Sequence, residues 1–268
     1  MKTDGIARIR FGKTSSWILG FALAFYLATI SARSQVLVVS KTIVVPEGFA
    51  SKEGPTRTPY PFWPGFFGGD ETSVRLQQCY EGALFPGYQE GDLIEGIAFR
   101  ISADRGEIEH SFDVTFANVE VHVSTFSKPR TQLDPTFSKN VGSDEAVVYN
   151  GPLHWRADFN PGQVQAMSLI IPFGTPFSYN PSHGALLLDI TVRGGMETGF
   201  VDAAGSPHLG IVRGFGLPST KGEVVGGAGL VTRFEIQSIP EPATALLAVA
   251  AVAQMLAFAA LRRSRSTR

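Results

Sequence analysis

Five histidines, one cysteine and 24 carboxylates are the residues of this chain most able to do chemistry. His110, His122, His154, His183 and His208 are dispersed, with no His-Glu-x-x-His and no pair at a metal-ligand spacing. His122 alternates out of phase with Val121 and Val123 and reads as a solvent-facing side chain. Cys79 has no partner for an intrachain disulfide. Within its alternating run it reads as a small buried residue, since a thiolate nucleophile needs a neighbouring base that no motif supplies. There is no Gly-x-Ser-x-Gly elbow and no phosphate loop. Gly226-Gly227-Ala228-Gly229 lacks the strand-to-helix context of a dinucleotide site and reads as a plain hairpin connection. No cofactor and no metal are expected.

The carboxylates admit other chemistry. Glu95, Asp113, Glu120, Asp189 and Glu235 lie in or beside expected strands. A glycosidase needs two carboxylates about 5 Å or about 6.5–9.5 Å apart, a separation that sequence spacing does not fix. Asp202 to Ser206 and residues 104–109 offer oxygens to Ca²⁺, but neither completes a calcium loop and both read as solvated turns. Between Pro46 and Asp70 five prolines and five glycines surround Tyr60, Phe62, Trp63, Phe66 and Phe67, which implies an irregular segment. Rings on such a segment form a sugar-stacking platform, with Trp63 as the candidate, or tuck under the domain edge as a plug, which is the expectation.

Positioning these residues falls to strands. Val36–Val45 is rich in β-branched residues, and Val74 to Tyr80 alternates with Gln78 on the apolar face, or with Cys79 there if a bulge intervenes. Asp92–Ser102 and Phe112–Phe126 follow. The second of these changes phase at Ala117-Asn118, which predicts a bulge or a turn between two strands. Ser127 to Ser143 reads as a long loop. Short strands are expected at Ala146–Tyr149, Leu153–Phe159, Met167–Phe173, Gly184–Arg193, Phe200-Val201, Leu209–Phe215 and Leu230–Ile236. Turns are expected at Asn150-Gly151-Pro152, Asn160-Pro161-Gly162 and Asn180-Pro181. No amphipathic helix of more than two turns is found from Gln35 to Ile239. The expected fold is all-β, a two-sheet antiparallel β-sandwich of jelly-roll type, with a closed barrel as the alternative.

Both ends have a different character. Lys2, Arg8, Arg10 and Lys13 precede an apolar run from Trp17 to Ile30 and the small-residue site Ala32-Arg33-Ser34. Residues 1–34 thus read as a secretory signal peptide, handled by the Sec translocon and signal peptidase and cut before Gln35; an uncleaved anchor is the alternative. At the other end Pro240-Glu241-Pro242 precedes an uncharged apolar run from Ala243 to Leu261. As a helix of 19 residues it reaches roughly 28 Å, close to a hydrocarbon core of about 30 Å. Arg262, Arg263, Arg265 and Arg268 follow and would hold that end in the cytoplasm. A tail anchor and a buried Ala-rich helix are the plainer accounts. Between the two ends, residues 35–239 hold 14 of the 23 basic and 22 of the 24 acidic residues, hence a charge near −8. That balance argues against nucleic acid or an anionic surface as a partner and is compatible with neutral polysaccharide or divalent cations, although most solvated acidic domains bind neither.

Pro240-Glu241-Pro242, the apolar span and the arginine-rich end together resemble the PEP-CTERM sorting signal of exported bacterial proteins. The resemblance implies recognition by an exosortase, a membrane transpeptidase-like protease that removes the tail, in a Gram-negative bacterium making extracellular polysaccharide. The span here is Ala-rich and carries Gln254, where many relatives are richer in Leu and Gly. The segment 35–239 also resembles a domain common in PEP-CTERM proteins. That likeness rests on Arg75-Leu76-Gln77-Gln78-Cys79-Tyr80, Ile97-Ala98-Phe99-Arg100, Asn140-Val141-Gly142, Pro176-Phe177-Ser178-Tyr179-Asn180-Pro181 and Leu186-Leu187-Leu188-Asp189-Ile190. It implies no particular activity.

These features together lead to an expectation of a non-catalytic exported surface or matrix protein, structural or adhesive among extracellular polysaccharide. Three parts follow: a signal peptide (1–34), an exported β domain (35–239) and a sorting signal (240–268). A sugar-binding module or glycoside hydrolase is the rival reading, and an unprocessed tail-anchored protein is the third.

Overall fold

The computed structural model describes residues 39–67, 73–103, 110–216 and 219–238, with positions 252, 254 and 255 besides. It is all-β. Eleven strands follow in order: β1 Val39–Val45, β2 Thr56–Thr58, β3 Ser73–Tyr80, β4 Leu93–Phe99, β5 Phe112–Phe126, β6 Ala146–Ala157, β7 Leu169–Ser178, β8 Ala185–Arg193, β9 Val201–Phe215, β10 Glu223–Leu230 and β11 Thr232–Ser238. From 39 to 238 the described helical structure is limited to short 3-10 turns at Pro64–Phe67, Gly82–Leu84, Arg130–Gln132 and Phe137–Lys139.

The strands form two antiparallel sheets. One has the order β1-β11-β4-β7; the other has the order β10-β9-β3-β8-β5-β6, with β2 paired to β9 beside it. Both sheets feed one core, giving a sandwich-like arrangement: Ile43, Ile97, Ile171 and Phe234 of the smaller sheet are buried together with Leu76, Val121, Trp155 and Ile190 of the larger. Tyr80 of β3 stands edge-on to Phe234 of β11, at 5.1 Å between ring centroids, and its hydroxyl lies 2.7 Å from Thr232 Oγ1. Burial of these side chains is the main stabilising term, at about 25 cal/mol per Å² of apolar surface removed from water.

β8 is buried from Ala185 to Val192 on both faces, because a second layer lies over the larger sheet. Residues 127–143 cross its outer face and bring Leu133 and Phe137 onto Cys79, Phe126, Leu187 and Val212. Cys79 is fully buried in this outer cluster. The pairing of β3 with β8 is unbroken from Ser73 to Tyr80, so no bulge intervenes and Gln78 keeps the phase of Leu76. Its amide spans the Leu230 backbone, donating to O and accepting from N.

Several expected boundaries need correction. Asn150-Gly151-Pro152 is not a turn: β6 runs through it as one strand. The phase change at Ala117-Asn118 is a bulge within one long β5, and it lies opposite Pro152, since Phe116 pairs with Leu153 and Val119 with Gly151. A proline without an N–H is tolerated at such a gap and on an edge strand. Val201 and Leu209–Phe215 belong to the single strand β9, with Phe200 just before it, and Gly226–Gly229 is part of β10 rather than a hairpin connection. Gly227 adopts φ +74° at the bulge where β10 shifts register, which is why glycine stands there. Residues 46–67 are irregular as expected except for β2 and the turn Pro64–Phe67, and 68–70 lie outside the described residues.

Among the described residues no helix is long and apolar enough to cross a membrane. The expected signal peptide, Pro240-Glu241-Pro242 and Arg262, Arg263, Arg265 and Arg268 lie outside the described residues, as does the expected span 243–261 except at 252, 254 and 255.

Candidate functional site

One corner of the larger sheet gathers a buried ion pair and an aromatic cluster around β2 and β9. Arg100, at the end of β4, is 1% exposed, and Asp202 of β9 is fully buried. Arg100 Nε donates to Asp202 Oδ2 at 2.8 Å, while its Nη2 donates to the carbonyls of Phe49 and Lys52. Asp202 Oδ1 in turn accepts the Gly54 N–H at 2.9 Å. Gly54 sits so close to β9 that a Cβ there would meet the Ala203 carbonyl at 2.1 Å. Glu53 accepts the N–H groups of Gln165 and Ala103, and lies 3.8 Å from Arg100. Burial pushes the Asp202 carboxyl up to about 6; Arg100 opposes this, and Glu53 adds to it. Asp202 is therefore a buried strand residue holding the 49–55 segment in place, not part of a solvated turn as its sequence implied.

β2 leads from this anchor to the rings. Arg57, opposite Asp202 in the ladder, places its guanidinium 4.5 Å from the Phe200 ring centroid. Phe62 is the plug: it is fully buried and meets Phe99, Phe116 and Trp155 at 5.3–5.9 Å. Trp63 next to it is half-buried, with its ring edge-on to Phe66 at 4.8 Å and tilted to Phe200 at 6.1 Å. The two neighbours thus differ, with Phe62 turned inward and Trp63 only half-buried at the rim. Beneath this corner a cleft of about 470 Å³ is bounded by Lys52, Glu53, Ala103, Gln163 and Val164.

A second polar cluster lies on the outer face of the larger sheet. Gln77 Nε2 donates to Asp189 Oδ2 at 2.6 Å and to the Phe137 carbonyl, and Asn140 Nδ2 donates to Gln77 Oε1. Arg75 grips Asp189 through Nε and Nη2 and lies over the Phe137 ring. Arg75, Gln77, Asn140 and Asp189 come from three of the segments that carry the domain resemblance, and the fold brings them into one hydrogen-bonded set. Asp189 is thereby fully engaged.

The remaining expected chemistry is scattered. His122 is outward-facing as expected, with Nε2 2.6 Å from Glu120 and Nδ1 2.9 Å from Glu145. His154 pairs with Asp113, His208 with Glu81, and Glu235 with Arg233. Among the described residues no group of three His, Cys, Asp or Glu could hold a metal ion. Burial pushes the Cys79 thiol up to about 12, away from the thiolate. The 104–109 stretch lies outside the described residues. Sequence reading missed the Arg100–Asp202 pair. Its signal was a charged residue directly after Ile97-Ala98-Phe99, where a strand was still apolar.

Compared with known protein families, with curated proteins and with solved structures, the chain matches none.

Proposed function

We propose that this chain is an exported cell-surface or extracellular-matrix protein, delivered by an N-terminal signal peptide and sorted by its C-terminal tail. Its role is structural or adhesive among extracellular polysaccharide. The observation that carries this reading is the order Pro240-Glu241-Pro242, apolar run, arginine cluster at the C-terminus, behind an N-terminal segment of export character. The tail is the substrate of an exosortase in this reading, so the span anchors the protein in the inner membrane only transiently. The domain is non-catalytic. Two features support that: Asp189 and Asp202 are held by arginines, and Glu53 is held by backbone amides.

The sandwich is of jelly-roll type in the same reading. With β2, β9 and β10 set aside, the strand orders are β1-β11-β4-β7 and β3-β8-β5-β6. That order is the one produced when two Greek keys fold over one core. The β9–β10 hairpin then extends the larger sheet beyond the basic eight strands.

The test is fractionation in the native host with Pro240, Glu241 and Pro242 all replaced by Ala. The variant is expected to stay in the inner membrane while the parent reaches the surface or matrix; identical distributions would refute the sorting role. A second reading, a sugar-binding module, draws on Trp63 at the rim of the corner. Loss of polysaccharide retention on Trp63→Ala, with unchanged stability, would favour it.

A further inference from the structure

Among the described residues the two sheet orders end on β1, β7, β10 and β6, and these strands differ in how their open edges are protected. β7 carries Pro172 and Pro176, β6 carries Pro152 and Arg156, and β1 carries Lys41. Prolines and charges of this kind discourage strand addition. β10 has Glu223 at its start and then neither charge nor proline from Val224 to Leu230. Among the described residues it pairs with β9 alone, and Val224 is 41% exposed.

Over this edge lies an arginine with one buried, unpaired donor. The stem of Arg130 crosses the outer face at Gly210, where a Cβ would meet its Cγ at 3.0 Å. The guanidinium ends over Gly226 of β10, where a Cβ would be 3.4 Å from Nη1. Gly210 and Gly226 are direct ladder partners, so a two-glycine floor opens the room that this side chain fills. Arg130 Nε is buried without a hydrogen-bond partner, and the nearest carboxylate, Glu81, stands 3.9 Å away and is already engaged with His208.

We propose that the β10 edge receives an extended peptide segment as an added strand, and that one carboxylate side chain of that segment pairs with Arg130 across Gly226. Main-chain hydrogen bonds along Val224–Ala228 supply affinity in such an arrangement, since Gly229 and Leu230 are buried and Gln78 already holds the Leu230 backbone, and the side chain beside Arg130 supplies selectivity. A single carboxylate fits better than an acidic run, because residues 35–239 carry about −8 and would repel one. A second copy fits poorly: pairing β10 with β10 about Gly226 would bring two Arg130 guanidiniums to one sheet face. The inference stands independently of how the chain is sorted.

The test uses the full-length protein with an acetylated, amidated pentapeptide, Thr-Val-Asp-Val-Thr, and its Asn counterpart. The Asp peptide is expected to slow amide exchange within 224–228 and to bind about tenfold more tightly than the Asn peptide, as a charge-assisted hydrogen bond implies. Arg130→Gln should erase that preference, and Arg130→Lys should keep part of it. Equal binding of the two peptides to the parent protein, protection elsewhere, or protection of 224–228 by raised protein concentration alone would overturn the proposal.

Discussion

Asn140 Nδ2 donates to Gln77 Oε1 at 2.9 Å, joining residues 63 apart in the chain and tying the 127–143 layer to the outer face of β3. The same Nδ2 donates to the Asp134 carbonyl, and Asn140 Oδ1 accepts the Asp134 N–H. Asn140 is 1% exposed, so these bonds are made away from water. The link explains how a segment without strands becomes a fixed second layer over Cys79 and Leu187.

Asn140→Ala should therefore cost about 1–3 kcal/mol, since it leaves Gln77 and the Asp134 backbone unsatisfied in a buried place. Urea unfolding measures the loss. Amide exchange should quicken first in 127–143, while β3 and β8 stay protected.

Arg100→Met should be more damaging, at about 3–5 kcal/mol, because Asp202 is left as a buried carboxylate without its cation. Adding Asp202→Leu should recover much of the loss. A double variant no more stable than Arg100→Met would show that the pair is not the cause.

Asp202 also sets a pH dependence. Its carboxyl lies at about 6 in the folded protein against an ordinary 3.8. Between those values the folded state keeps a proton that the unfolded state has lost. The contribution is thus full below about pH 4 and is lost as pH rises through about 6, to the extent of about 3 kcal/mol. The stability of the parent relative to Asp202→Asn should fall across that window. Asp92 acts in the opposite sense: burial raises its carboxyl, but Lys41 and the Gln89 N–H outweigh this and lower it, so its contribution is lost as pH falls below the ordinary carboxylate range.

Cys79 should be inert in the folded protein, because burial keeps it as a thiol beneath Leu133 and Phe137. A thiol reagent at pH 8 should label it only after denaturant is added. Rapid labelling of the native protein would mean that the 127–143 layer opens readily.

Period-two alternation made β3 and β5 legible, because each keeps one face on the core. Proline and glycine were harder to read. Pro152 looked like a chain reversal, yet it sits in an edge strand opposite the Ala117-Asn118 bulge, and the two signals describe one feature. Gly226–Gly229 looked like a connection because its glycines have no side chains to alternate, and their role depends on Arg130 and Gln78, which lie far away in sequence. The buried Arg100–Asp202 pair and the Gln77–Asn140 link span 102 and 63 residues, so local pattern could flag their members but not join them. Trp63 and Phe62 are neighbours with opposite fates, decided by which ring reaches Trp155.

Export and sorting are written at the two ends of the chain, and mass spectrometry of the mature protein from its native host, with both termini read, is the sharpest test of them. The mature chain is expected to begin at Gln35 and to lack Ala243–Leu261. A mature chain that retains Ala243–Leu261 and the terminal arginines, in a cell that makes an exosortase, would contradict it.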